Sequence, residues 1–180
     1  GVVPDLTVLA KAIASGFPLS AVAGHSEVMA IAHGDGPVRH IGTYNGNAVS
    51  VAAANATLAS LVTGGPALYE RLDSISARLA GGLENLGAEA GAPLVANQVG
   101  SVIHLLWDCP TPVLSYADAY ESNRQAVADF ASHLLGLGVA ATERGLWFVS
   151  ASHTEAQIDQ TLAAAQEAVA AVSSMHAPRN

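Results

Sequence analysis

The chain has 180 residues, enough for one ordinary domain or for a small domain joined to part of another. Half of the residues are hydrophobic, while 5% are aromatic and 12% charged, so burial has to rest on Ala, Val and Leu in a globular composition. The formal charge of -8, with one lysine and widely scattered arginines, argues against a nucleic-acid or anionic-membrane surface, both of which need clustered cations.

Cys109 is the sole cysteine, so no internal disulfide forms and a reducing, cytoplasmic setting is expected. No uninterrupted apolar run approaches the roughly 18–20 residues of a membrane span, and no basic-then-apolar start marks a secretory signal. The first residue is Gly1 rather than Met, and the sequence is expected to be a portion of a longer product.

In chain order, Val2 to Leu9 reads as a short buried strand broken by Pro4-Asp5, with Lys11 at or just past its end. Leu19–Gly24 suggests another short strand, followed by a helix over 27–32 and a turn at His33–Pro37. A loop through Ile41–Gly46 opens an alanine-rich helix over 49–61. Alanine on every face lets backbones approach closely, which predicts packing at a domain or subunit boundary. Thr63-Gly64-Gly65-Pro66 is the predicted boundary, dividing the chain into 1–64 and 65–180.

Beyond it, Leu68, Leu72, Ile75, Leu79, Leu83 and Leu86 step by three or four, predicting an amphipathic helix ended by Gly87. Val99–Trp107 reads as a strand. Ser115 with Asp118 caps a helix whose stripe takes in Tyr120, Val127, Phe130, Leu134 and Leu137. Val139–Thr142 and Leu146–Ala151 read as strands, and Thr154 with Gln157 forms a capping box opening the last helix. The pattern predicts an α/β layer on one sheet.

Lys11 is the only lysine, within Pro4-Asp5-Leu6-Thr7-Val8-Leu9-Ala10-Lys11-Ala12-Ile13-Ala14-Ser15-Gly16-Phe17-Pro18. Apolar residues before it and small or turn-forming ones after it predict a desolvated amine, the neutral form a lysine nucleophile needs to attack an aldehyde. The seven histidines show no pair with ligand spacing beside a carboxylate or cysteine, so no metal site is expected.

The run from Asp5 to Leu19 resembles the cofactor-lysine segment of class III, fold-type I aminotransferases. Gly42-Thr43-Tyr44-Asn45-Gly46-Asn47-Ala48 resembles that family's phosphate-contacting loop, although members commonly carry proline where this chain has Ala48. Gly145 to Thr154, with Ile158-Asp159, resembles its C-terminal strand-to-helix passage, in the glutamate-1-semialdehyde aminomutase-like branch.

The resemblance implies the end of a large pyridoxal-phosphate domain over 1–64 and a small C-terminal α/β domain over 65–180. It implies pyridoxal 5'-phosphate held by Lys11 as a Schiff base, with Gly42 and Thr43 binding the phosphate of a neighbouring subunit's cofactor. A homodimer with shared active sites follows, taking a small-molecule amino donor and a carbonyl acceptor, without nucleic acid or membrane. The family's pyridine-nitrogen aspartate, phosphate cup and stacking aromatic lie upstream of the segment corresponding to Gly1, so the isolated 180-residue chain is expected to be inactive. Tyr44-Asn45 differs from the pair that aminomutases tend to carry, which favours amino transfer between two molecules. The alternatives are the intramolecular aminomutase reaction and a non-catalytic dimerisation or regulatory module of the same fold.

Overall fold

The computed structural model describes residues 2–32, 36–109 and 111–176. Two compact units divide the chain, Gly1–Gly65 and Pro66–Asn180.

In the first unit, β1 (Leu6–Leu9) pairs antiparallel with β2 (Ala21–Gly24), Leu6 opposite Gly24 and Leu9 opposite Ala21. The strand is shorter than the predicted 2–9 because Pro4 has no N–H for a ladder. Gly24 lets the strands close: a Cβ there would lie 2.4 Å from the Asp5 carbonyl oxygen. Between the strands runs a 3-10 turn, Lys11–Ala14. The helix predicted over 27–32 is α1 (Ser26–Met29) followed by a second 3-10 turn, Ala30–Ala32. Part of the turn predicted at His33–Pro37 lies outside the described residues.

α2 (Ala48–Glu89) is helical except at Gly65, where φ 52° and ψ −153° leave helix geometry. Pro66 then restarts the helix, at a position where its missing N–H costs nothing. By length and composition α2 is long and apolar enough to cross a membrane. The sequence reading found no such run because Ser50, Asn55, Thr57 and Ser60 interrupt it; they do not interrupt the helix.

In the second unit, residues 66–89 of α2 continue past Gly87, which was expected to end the helix. Gly87 is needed for contact instead, since a Cβ there would meet the Ala92 carbonyl at 2.6 Å and Leu94 at 2.7 Å. The chain turns at Gly91, where φ is +66°. The single strand predicted over 99–107 is a hairpin: β3 (Leu94–Val99) pairs with β4 (Val102–Trp107), Leu94 opposite Trp107. β5 (Leu146–Phe148) adds antiparallel to β4, giving the order β3-β4-β5.

The Ser115–Asp118 capping box forms as predicted, but it opens a five-residue helix, α3 (Tyr116–Tyr120). A separate helix, α4 (Arg124–Gly136), starts at Asn123, whose side chain accepts the Ala126 N–H. Val127, Phe130 and Leu134 of the predicted stripe are buried, whereas Tyr120 and Leu137, beyond the ends of α4, are exposed. No strand forms over 139–142. The Thr142 hydroxyl instead accepts the Leu146 N–H at 3.0 Å and donates to the Leu146 carbonyl at 2.8 Å, closing a loop. The Thr154–Gln157 box opens α5 (Glu155–His176).

The three helical faces meet on one side of the sheet. Ile75, Leu79 and Leu83 of α2, Ile103, Leu105 and Trp107 of β4, Phe130 of α4 and Ile158, Val169 and Val172 of α5 form one core. The Phe130 ring lies between Trp107 and Trp147, at centroid distances of 6.0 and 6.3 Å. Gly145, at φ +74°, allows the β5 approach, since a Cβ would fall 2.1 Å from the Leu105 carbonyl. The class is α/β, as the sequence predicts.

Candidate functional site

Lys11 opens the turn that follows β1, with φ +59°, a value that crowds any residue with a Cβ. Ser15 and Gly16 also take positive φ, 48° and 98°, and Ala14 just before them is wholly buried. The Ser15 hydroxyl lies 2.9 Å from the Thr57 hydroxyl on α2. Lys11 borders an open concavity of about 450 Å³ with Ala10, Ala12, Gly16, Phe17, Pro18 and Leu19.

The lysine is exposed, which corrects the expectation of a desolvated amine. Its apolar neighbours in sequence do not fold over it: Leu9, Ala10 and Ala12 are exposed themselves, and only Phe17, Pro18 and Leu19 wall one side.

The Gly42–Ala48 segment is a turn over residues 43–46 leading into α2. Asn45 folds it: its N–H donates to the Gly42 carbonyl at 3.0 Å and its side-chain amide to the His40 carbonyl at 3.2 Å. Gly42 is fixed by that fold, because a Cβ there would lie 2.9 Å from Asn45 Oδ1. Asn47 caps the helix by accepting the Ser50 N–H at 3.1 Å. Thr43 is separated from the helix N-terminus by the whole turn, and it is exposed.

A second concavity, of about 600 Å³, is lined by Pro18, Leu19, His40, Tyr44, Asn45, Asn47 and neighbouring residues. Pro18 and Leu19 border both hollows, whereas Gly42 and Thr43 line neither. Tyr44 is exposed and lines the second of them. Ser15 and Thr57 were missed: forty-two residues separate them, and a threonine inside an alanine-rich helix carries no local signal.

These residues fit pyridoxal 5'-phosphate at its aldehyde end. Lys11 offers a primary amine at the rim of an open, largely apolar hollow. The phosphate candidates stand on a different loop outside that hollow.

The strand-to-helix passage in the second unit is tightly tied. The Ser150 N–H donates to His153 Nδ1 at 2.9 Å, so that nitrogen is the unprotonated acceptor. Arg71 donates to the Ala151 carbonyl at 3.0 Å and the His153 carbonyl at 2.7 Å, and Arg78 pairs with Glu155 and Asp159. His153 closes the turn that leads into α5, its own N–H donating to the Ser150 carbonyl at 3.0 Å. Burial pushes the Cys109 thiol up, with Asp108 and Asp118 adding to the effect, so it holds its proton and is a poor nucleophile.

The profile of the family "Aminotransferase class-III" matches residues 1–169. A glutamate-1-semialdehyde 2,1-aminomutase of Sorangium cellulosum is 39% identical over 173 residues, covering 95% of this chain and 39% of that protein. A protein of the same name from Desulforudis audaxviator is 38% identical over 170 residues, covering 93% of this chain and 39% of the relative. Among solved structures, one described as a transaminase with PLP bound superposes with a TM-score of 0.83 at 27% identity, covering 97% of this chain and 40% of that one. An omega-transaminase from Sphaerobacter thermophilus gives 0.79 at 30% identity, over 95% of this chain and 39% of that one. The chain thus spans about 39% of the length of the curated relatives it matches. The fold is that of the corresponding part of these transaminases, and the chain belongs to the class-III aminotransferase family.

Proposed function

We propose that the protein carrying these residues is a pyridoxal-phosphate-dependent aminotransferase that moves an amino group between an amine or amino acid and a carbonyl compound. One observation carries the reading: the only lysine of the chain stands in a constrained left-handed turn at the edge of a hollow, within the segment matched by the family.

When bound, pyridoxal 5'-phosphate supplies the aldehyde and the electron sink. Lys11 Nζ would hold it covalently at the rim of the hollow. As a free neutral amine, the same nitrogen would act as the base that takes a proton from the substrate carbon and as the acid that returns it. Both roles need a neutral amine. Phe17, Pro18 and Leu19 provide one apolar wall towards that state, and further cover has to come from groups outside the turn.

Gly42 and Thr43 are proposed to bind the phosphate held by a second copy, in a homodimer with shared active sites. In support, the two residues do not line the hollow that Lys11 borders in their own chain. The division into a large-domain part and a small C-terminal domain belongs to the same reading.

The intramolecular aminomutase reaction is the second reading, favoured by the names and identities of the two curated relatives. The two transaminase structures and the Tyr44-Asn45 pair favour transfer between molecules. A full-length protein containing these residues, loaded with cofactor, is expected to transfer amino groups from common donors to a keto acid. Lys11→Ala is expected to remove that turnover and the visible absorbance of the lysine-bound cofactor. Turnover only of glutamate-1-semialdehyde decides for the second reading, and full turnover by Lys11→Ala overturns both.

A further inference from the structure

We propose that Ser15 and Thr57 are positioning residues for Lys11, fastening the turn that carries it to the alanine-rich first half of α2. Its bearing on the cofactor rests on the reading of Lys11 given above; the fastening itself does not.

Lys11 and Ser15 both adopt positive φ within five residues. Each has a Cβ that crowds the backbone in that region, so the local sequence does not choose this conformation unaided. Something outside the turn has to hold it. The direction of the tie follows from proton counting. Thr57 has one hydroxyl hydrogen, and it goes to the Ala53 carbonyl at 2.9 Å, one turn back along the helix. Thr57 Oγ1 therefore faces the turn as an acceptor, and the Ser15 hydroxyl at 2.9 Å is the donor.

The Ser15 N–H is taken by the Ala12 carbonyl at 3.2 Å, which closes the turn on itself, and the buried Ala14 methyl anchors the residue between. The backbone from which the Lys11 side chain departs is thus fixed at its far end by one defined hydrogen-bond chain: Ser15 to Thr57 to Ala53. Neither hydroxyl lines the hollow, so neither touches what Lys11 binds.

Because Lys11 is the only lysine, the 180-residue chain grown with isotope-labelled lysine gives a single backbone amide signal, which reports this turn alone. Thr57→Val keeps the shape and removes the acceptor. Its Lys11 amide and Cα signals are expected to move towards unstructured values and broaden, with the helical circular dichroism retained. Thr57→Ser is expected to restore them. In the full-length protein, the rate at which Lys11 captures pyridoxal 5'-phosphate, trapped by borohydride, is expected to fall about five-fold in Thr57→Val and to recover in Thr57→Ser, the effect of one ordinary hydrogen bond.

Unchanged Lys11 signals in Thr57→Val overturn the proposal, as do signals that move equally in Thr57→Ser. Should Thr57→Val lose its helix, Ser15→Ala removes the donor instead and must move the same signals; no movement overturns the proposal. Signals that move as expected while the unsubstituted full-length protein is not labelled at Lys11 leave the fastening intact and overturn the reading of Lys11 as the cofactor lysine.

Discussion

The two units differ in how much of their apolar surface they cover themselves. In Pro66–Asn180, residues of three helices and the sheet close around Phe130, which is 1% exposed, and around Leu83, Leu105 and Val172. In Gly1–Gly65 the buried apolar residues among those described are Ala14 and Ala54, while Val8, Val49, Leu58 and Val62 stand exposed, Val62 at 80%. The unit with the candidate lysine is the one that buries few of its own side chains. A hydrophobic residue buried on folding contributes roughly 1.5–3 kcal/mol, and the first unit gains little of this from itself. Its larger apolar side chains stand mostly at the surface of the unit, whereas those of the second unit form its core.

Separating the units sharpens that contrast most. Residues 66–180 expressed alone are expected to unfold in one cooperative transition, and residues 1–65 alone to show none. Circular dichroism against denaturant checks both, and a cooperative transition in 1–65 breaks the comparison.

Single substitutions give the next largest effect. Phe130→Ala opens a void between Trp107 and Trp147 and is expected to cost about 3–5 kcal/mol in residues 66–180. Val62→Ala in the whole chain is expected to change stability by no more than about 0.5 kcal/mol. Denaturant midpoints measure both.

The smallest effect is electrostatic. The Asp129 carboxyl is held below the usual aspartate range, first by the hydrogen bond from His176 at 2.8 Å and then by the Gln125 amide. A depressed carboxyl contributes stability that is present above its unfolded value, about 3.9, and is lost as pH falls through the folded value. Asp129→Asn is expected to flatten the acid limb of the thermal midpoint below about pH 4. An unchanged pH profile contradicts it.

What the sequence made legible follows the same division. The capping boxes at Ser115 and Thr154, and the stripes through Ile75–Leu83 and Val127–Leu134, were readable because these helices bury their faces within their own unit. β3 escaped notice because Ala96, Asn97 and Gln98 are weak strand formers. Asn97 is fixed by a contact to the Val113 carbonyl and Ala96 by the Glu84 carboxylate, both distant in sequence. The break between α3 and α4 escaped because the apolar period runs on across it. At the site, uniqueness made Lys11 legible, but its exposure was not, since flanking residues do not state which way they fold. Thr43 stands at the start of its loop, and Asn47 rather than Thr43 takes the capping position of the helix.

Covalent trapping tests the central claim most directly. The full-length protein is incubated with pyridoxal 5'-phosphate, reduced with borohydride, digested and mapped by mass spectrometry. The account predicts the phosphopyridoxyl label on Lys11, at one per chain, and its loss in Lys11→Ala. A label on another amine with Lys11 unmodified contradicts it.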